Sequence, residues 1–120
     1  MASTQLTWNN GTTGNRKTWT FSFWVKRNKV GAEQVVWTTR YNASNNHLFR
    51  FNANDTFSFK GVNSADGTIM DLDSNEVYRD TSGWYHFVLA VDSTQATAAN
   101  RAKVYVNGVQ ITSFATADYG

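Results

Sequence analysis

The chain has 120 residues, 41% of them hydrophobic and 15% aromatic, with no proline, no cysteine and a formal net charge of +2. That length suits one domain, residues 1–120, with enough apolar side chains for an aromatic core. The missing cysteines exclude disulfides and thiolate metal sites, the near-balanced charge argues against a nucleic-acid partner, and no apolar run is long enough for membrane insertion as a helix.

The opening, MASTQLTWNNGTTGNRK, has no basic region followed by an apolar one, so no signal peptide is expected. In TWTFSFWVKR, from Thr18, side chains alternate with the strand period. Trp19, Phe21, Phe23 and Val25 share one face; Thr18, Thr20, Ser22, Trp24 and Lys26 share the other. The basic pairs at its ends, Arg16-Lys17 and Lys26-Arg27, read as solvated strand ends that discourage aggregation. Gln34–Arg40 is a short β-branched run. HLFRFNANDTFSFKG reads as a hairpin, with Phe49 and Phe51 on one arm, Phe57 and Phe59 on the other, and a turn at Asn52–Asp55. Between Val62 and Asp80 the pattern predicts a turn at Asp66-Gly67 and short strands near Thr68–Asp71 and Val77–Arg79. In WYHFVLAVD, Tyr85, Phe87, Leu89 and Val91 fill one face and Trp84, His86, Val88 and Ala90 the other. Both faces are largely apolar, which predicts a central strand covered on both sides. Ser93–Asn100 reads as a small-residue loop. RAKVYVNGVQIT is a second hairpin around Asn107-Gly108, whose residues accept the positive φ of a type I′ turn. Short strands with regular turn signals and no amphipathic helix predict an all-β, antiparallel sandwich.

TWTFSFWVKR, GWYHFVLAVD and KVYVNGVQI together resemble the concanavalin A-like jelly roll in its laminin-G-like branch, through Phe21, Ser22, Trp24, Val25 and Lys26, then Trp84, His86 and Phe87, then Tyr105, Val106, Asn107 and Gly108. The run from Arg79 to Phe114 is similar to virion-associated proteins of marine bacteriophages that carry this module in tails or fibres. Members of the family usually continue past the last hairpin into further strands. The resemblance therefore implies a sandwich incomplete at its C-terminus, with an open edge that recruits sister copies or other virion proteins.

The glucanase members of that superfamily use a glutamate pair on one strand, one attacking and one donating a proton. Here Glu33 and Glu76 are the only glutamates and lie on separate segments, so no catalytic residue is expected from that source. A Ser82, His86, Asp92 triad also fails, because six residues of strand separate His86 from Asp92 by roughly 20 Å. His86 then reads as a structural histidine and His47 as a surface residue at a strand start. Asp71, Asp73 and Asn75 have the opening spacing of a calcium loop, but Glu76 and Ser82 stand where that loop needs Gly and Glu. An ordinary polar turn competes with this reading, and calcium is the one candidate cofactor. Exposed rings beside Asn, Asp or Arg suit sugars; Trp8, Trp24, Trp37 and Tyr41 qualify, and Trp37, Arg40, Tyr41 and Asn42 form the candidate carbohydrate set, against packing in a core or interface. Loops at Asn9–Gly14, Tyr41–Asn46 and Ser93–Asn100 are expected to face outward. These observations predict a non-enzymatic structural or adhesion module of a virus particle, located on the virion and assembled in multiple copies. The alternative is a soluble lectin-like domain for a cell-surface glycan, with or without calcium.

Overall fold

The structure is a computed structural model that describes residues 11–12, 14–42, 44–63, 65 and 67–120, with Tyr41 as backbone alone. Expectations for Trp8, for Asn9 and Asn10, and for Asp66 lie outside the described residues. The strands are β1 (Thr18–Val25), β2 (Gln34–Asn42), β3 (Asn45–Phe51), β4 (Thr56–Asn63), β5 (Gly67–Val77), β6 (Tyr85–Asp92), β7 (Ala102–Val106), β8 (Val109–Gln110) and β9 (Phe114–Asp118). They form two antiparallel sheets, one ordered β1-β6-β7-β8 and the other β2-β3-β4-β5-β9. This is the all-β sandwich that the alternation predicts.

Each sheet turns its alternate apolar side chains inward. Cross-strand register places Phe49 opposite Phe59 and Phe51 opposite Phe57, so the first hairpin contributes four buried rings. Its turn closes through a bond from the Asp55 amide to the Asn52 carbonyl, with Asp55 at φ 69°, a left-handed conformation that Asp tolerates. From the opposite sheet, Phe87 reaches into these rings. Its centroid lies 5.1–6.0 Å from those of Phe23, Phe49, Phe51, Phe57 and Tyr78. The second hairpin forms as expected: Val106 faces Val109 across Asn107 and Gly108, at φ 50° and 81°.

Several expectations need correction. Val62–Asp80 holds one continuous 11-residue strand, β5, instead of two short ones; Val77 ends it, and Tyr78 turns inward beneath Phe51 and Phe87. The strand is long because it is paired on both sides, with β4 and with β9. β9 itself was unassigned in the sequence, since FATAD carries no clear apolar alternation. β6 is central in its sheet, but its outer face is only partly covered: Trp84 is 61% exposed, and His86, Val88 and Ala90 are half-buried. No second layer lies over that face among the described residues. Ser93–Asn100 is a surface loop that ends in a 3-10 turn at Ala98–Asn100.

Arg27 departs furthest from expectation. It is buried instead of solvated. Its Nη1 donates to Asp55 Oδ1 at 2.8 Å and to the Tyr78 carbonyl at 2.7 Å, its Nε donates to Gln34, and its guanidinium lies 4.6 Å from the Phe51 ring centroid. Asp55 also accepts from the Gly31 amide and from Arg79 Nε. One arginine thus ties the end of β1 to the β3–β4 turn and to the segment after β5.

Candidate functional site

Two surfaces combine chemistry with exposure. The first is the outer face of the four-stranded sheet. Register sets Trp24 opposite His86 and Ser22 opposite Val88, so the polar face of β1 meets the uncovered face of β6. The Trp24 indole stacks on the His86 ring at 4.6 Å and 16°, and Ser22 Oγ lies 2.9 Å from His86 Nε2. Trp24 is nevertheless 64% exposed, and Trp84, two residues before His86, is exposed as well. A serine beside a histidine is part of a nucleophile–base arrangement, but the remaining groups lie elsewhere. Ser82 Oγ donates to Asp80, and Asp92 accepts from Thr94 and Gln95. The structure therefore does not bring Ser82, His86 and Asp92 together. What the face offers is two large exposed rings with hydroxyl and imidazole groups between the strands.

The second is a cleft of ≈ 270 Å³ between the sheets at one end of the sandwich. Trp19, Phe59 and Val91 give it apolar walls, and Arg16, Arg101 and His47 line it with polar groups. Arg101 is held by bonds from Nε to the Gln95 carbonyl and from Nη1 to the Gly120 carbonyl. His47 corrects another expectation. It is the third residue of β3, half-buried, stacked 6.2 Å from Phe59 and 3.2 Å from Thr39 Oγ1 through Nδ1. Burial lowers its pKa from the ordinary 6.5, which keeps the imidazole neutral at pH 7.

The residues singled out in sequence are spread over three places. Trp37 points inward and stacks on Phe21 at 4.8 Å. Arg40 is exposed and lines a shallow groove of ≈ 380 Å³ with Asn45, Asn46 and His47. Tyr41 is described by backbone alone. Asn42 accepts bonds from the Ser44 amide and Asn45 Nδ2, closing the tight β2–β3 turn. Asp71, Asp73 and Asn75 lie along the outer side of β5, so the expected polar turn is a strand. Asp71 pairs with Lys60 at 2.5 Å, and Asn75 Nδ2 donates to Ser113 Oγ. On a strand, alternate residues sit about 6.6 Å apart, and no group of three or more His, Cys, Asp or Glu that could hold a metal exists among the described residues. These residues do not converge on a calcium position.

The His86–Trp24 stack and the cleft were both missed in sequence, because each joins residues more than 25 positions apart. Period-two alternation sets Trp24 and His86 on the faces opposite the core rings of their strands, but only strand pairing makes them neighbours. A laminin-G-like family model, described as the concanavalin A-like lectin/glucanases superfamily, matches residues 1–119. No curated protein and no solved structure matches the chain.

Proposed function

The chain belongs to the concanavalin A-like lectin/glucanases superfamily, and from that premise we propose that it is a non-enzymatic adhesion module carried in multiple copies on a virus particle, in a tail, a fibre or another virion component. Lectin-like or adhesive roles are general to this superfamily; the virion setting is our own extension, drawn from the resemblance read in the sequence of residues 79–114. The observation that carries the reading is the exposed pair Trp24 and Trp84 on the uncovered sheet face. Each indole buries a large area when covered, and exposed apolar patches with a polar rim mark contact surfaces. β1 also has β6 as its neighbour on one side and no strand on the other among the described residues. Contacts through this face between sister copies are individually weak, and multivalency raises their combined strength.

Light scattering tests this. The wild-type chain is expected to scatter as a multimer, and the double substitution Trp24→Thr, Trp84→Thr as a monomer with the same unfolding temperature, since neither ring is in the core. A wild-type chain that stays monomeric at every concentration overturns the reading.

The second reading, a lectin-like glycan binder, is favoured by the end cleft, where the Trp19 ring stands near polar groups. A glycan array, run with and without chelator, is expected to show chelator-insensitive binding, because Asp71, Asp73 and Asn75 do not gather around one point. Binding abolished by chelator would show that calcium takes part.

A further inference from the structure

The geometry points to the end cleft as a site for a single sugar ring carrying a carboxylate, held by Arg16 and Arg101 over the Trp19–Phe59 wall. This deepens the lectin-like reading and rests on it. Arg16 and Arg101 both line a cleft whose lining contains no Asp or Glu side chain. The nearby carboxylate of Asp92 is engaged by Thr94 and Gln95 and lines the adjoining groove instead. Two like charges beside low-dielectric walls focus a positive potential that attracts an anion. Guanidinium is planar and presents paired donors, which match a carboxylate. Arg101 is already oriented by bonds from Nε and Nη1 to main-chain oxygens of Gln95 and Gly120, leaving Nη2 outside those bonds. Arg16 is exposed and has no ion pair among the described residues.

Size and wall chemistry narrow the class. A volume of ≈ 270 Å³ lies just under the range for small-molecule sites, about 300–1,000 Å³, so one ring fits and an oligosaccharide does not. An aromatic wall suits the C–H face of a pyranose. His47, neutral at pH 7, and Ser93 provide hydroxyl partners beside it. A free acidic monosaccharide and the terminal residue of a glycan present the same chemistry.

Sodium glucuronate and glucose are titrated in parallel into isotopically labelled protein, following the tryptophan indole signals, with Trp19 assigned through Trp19→Phe. Glucuronate is expected to shift the Trp19 signal and glucose to leave it in place. Arg16→Gln, on an exposed residue, is expected to weaken glucuronate binding at least about tenfold while leaving the unfolding temperature unchanged. Raised salt is expected to weaken it too. A glycan ending in glucuronate that competes for the same signal identifies a chain terminus as a source; competition by the free acid alone identifies the monosaccharide. Equal shifts from glucose, or unchanged affinity in Arg16→Gln, overturn the site. If neutral glycans bind on the array while glucuronate leaves Trp19 unmoved, the cleft assignment falls and the lectin-like reading stands; if nothing binds in either experiment, both fall.

Discussion

Phe87→Ala is expected to cost about 3–5 kcal/mol, a large share of the stability of a domain that has about 5–15 kcal/mol to lose. Phe87 is fully buried and is the point where the two sheets interlock, its ring set among Phe49, Phe51 and Phe57 from the opposite sheet and Phe23 from its own. Alanine leaves a cavity that four strands would have to move to fill, so little relaxation offsets the lost contacts. Phe87→Leu keeps most of the volume and is expected to cost under about 2 kcal/mol. Urea unfolding of the two variants measures the difference. A Phe87→Ala midpoint within experimental error of wild type would contradict the packing described here.

Arg27→Ala is expected to be comparably damaging, about 3–5 kcal/mol, because it empties a buried site and leaves the buried Asp55 carboxylate with only the Gly31 amide and the exposed Arg79 as partners. The loss includes the bonds to Tyr78 and Gln34 and the contact with the Phe51 ring. The double substitution Arg27→Met, Asp55→Asn removes both charges, keeps a residue that accepts positive φ at position 55, and is expected to recover part of the stability. No recovery would mean that the hydrogen bonds, and not the under-compensated charge, set the cost. The same cluster makes stability acid-sensitive. The Gly31 amide, then Arg79 and Arg27, hold the Asp55 carboxyl below its ordinary 3.8 against the opposing effect of burial. A carboxyl with a depressed folded pKa stabilises fully above its unfolded value, and that contribution fades as pH falls through the lower folded value. Stability should therefore decline below about pH 4, with a shallower decline in Asp55→Asn. Asp92, held at about 2 chiefly by the Thr94 hydroxyl, then by Gln95 and the Thr94 amide, adds to the decline in wild type and variant alike.

Where the outcome depended on neighbouring residues in the chain, the sequence was readable. The two hairpins are local: Phe49/Phe51 against Phe57/Phe59 follows from a four-residue turn, and Val106 against Val109 from Asn107-Gly108. The buried and exposed faces of β1 follow from its alternation alone. The candidate sites were less readable. Trp37 looked like a platform because it falls on a mixed face, yet the sheet turns it against Phe21. Arg27 looked solvated because it sits in a basic run, and Asp55 looked like an ordinary turn residue. Their pairing spans 28 positions and two sheets.

Amino-acid order by itself determined the strand period, the turns and the inward aromatic faces, since these depend on side-chain direction and φ preferences within a few residues. Only the tertiary structure decided that Trp24 rests on His86, that Arg27 is buried against Asp55, and that Arg16, His47 and Arg101 meet at one cleft. Those meetings depend on which strands pair and in what register, and register is settled by packing the whole core, a sum over distant residues that no local pattern encodes.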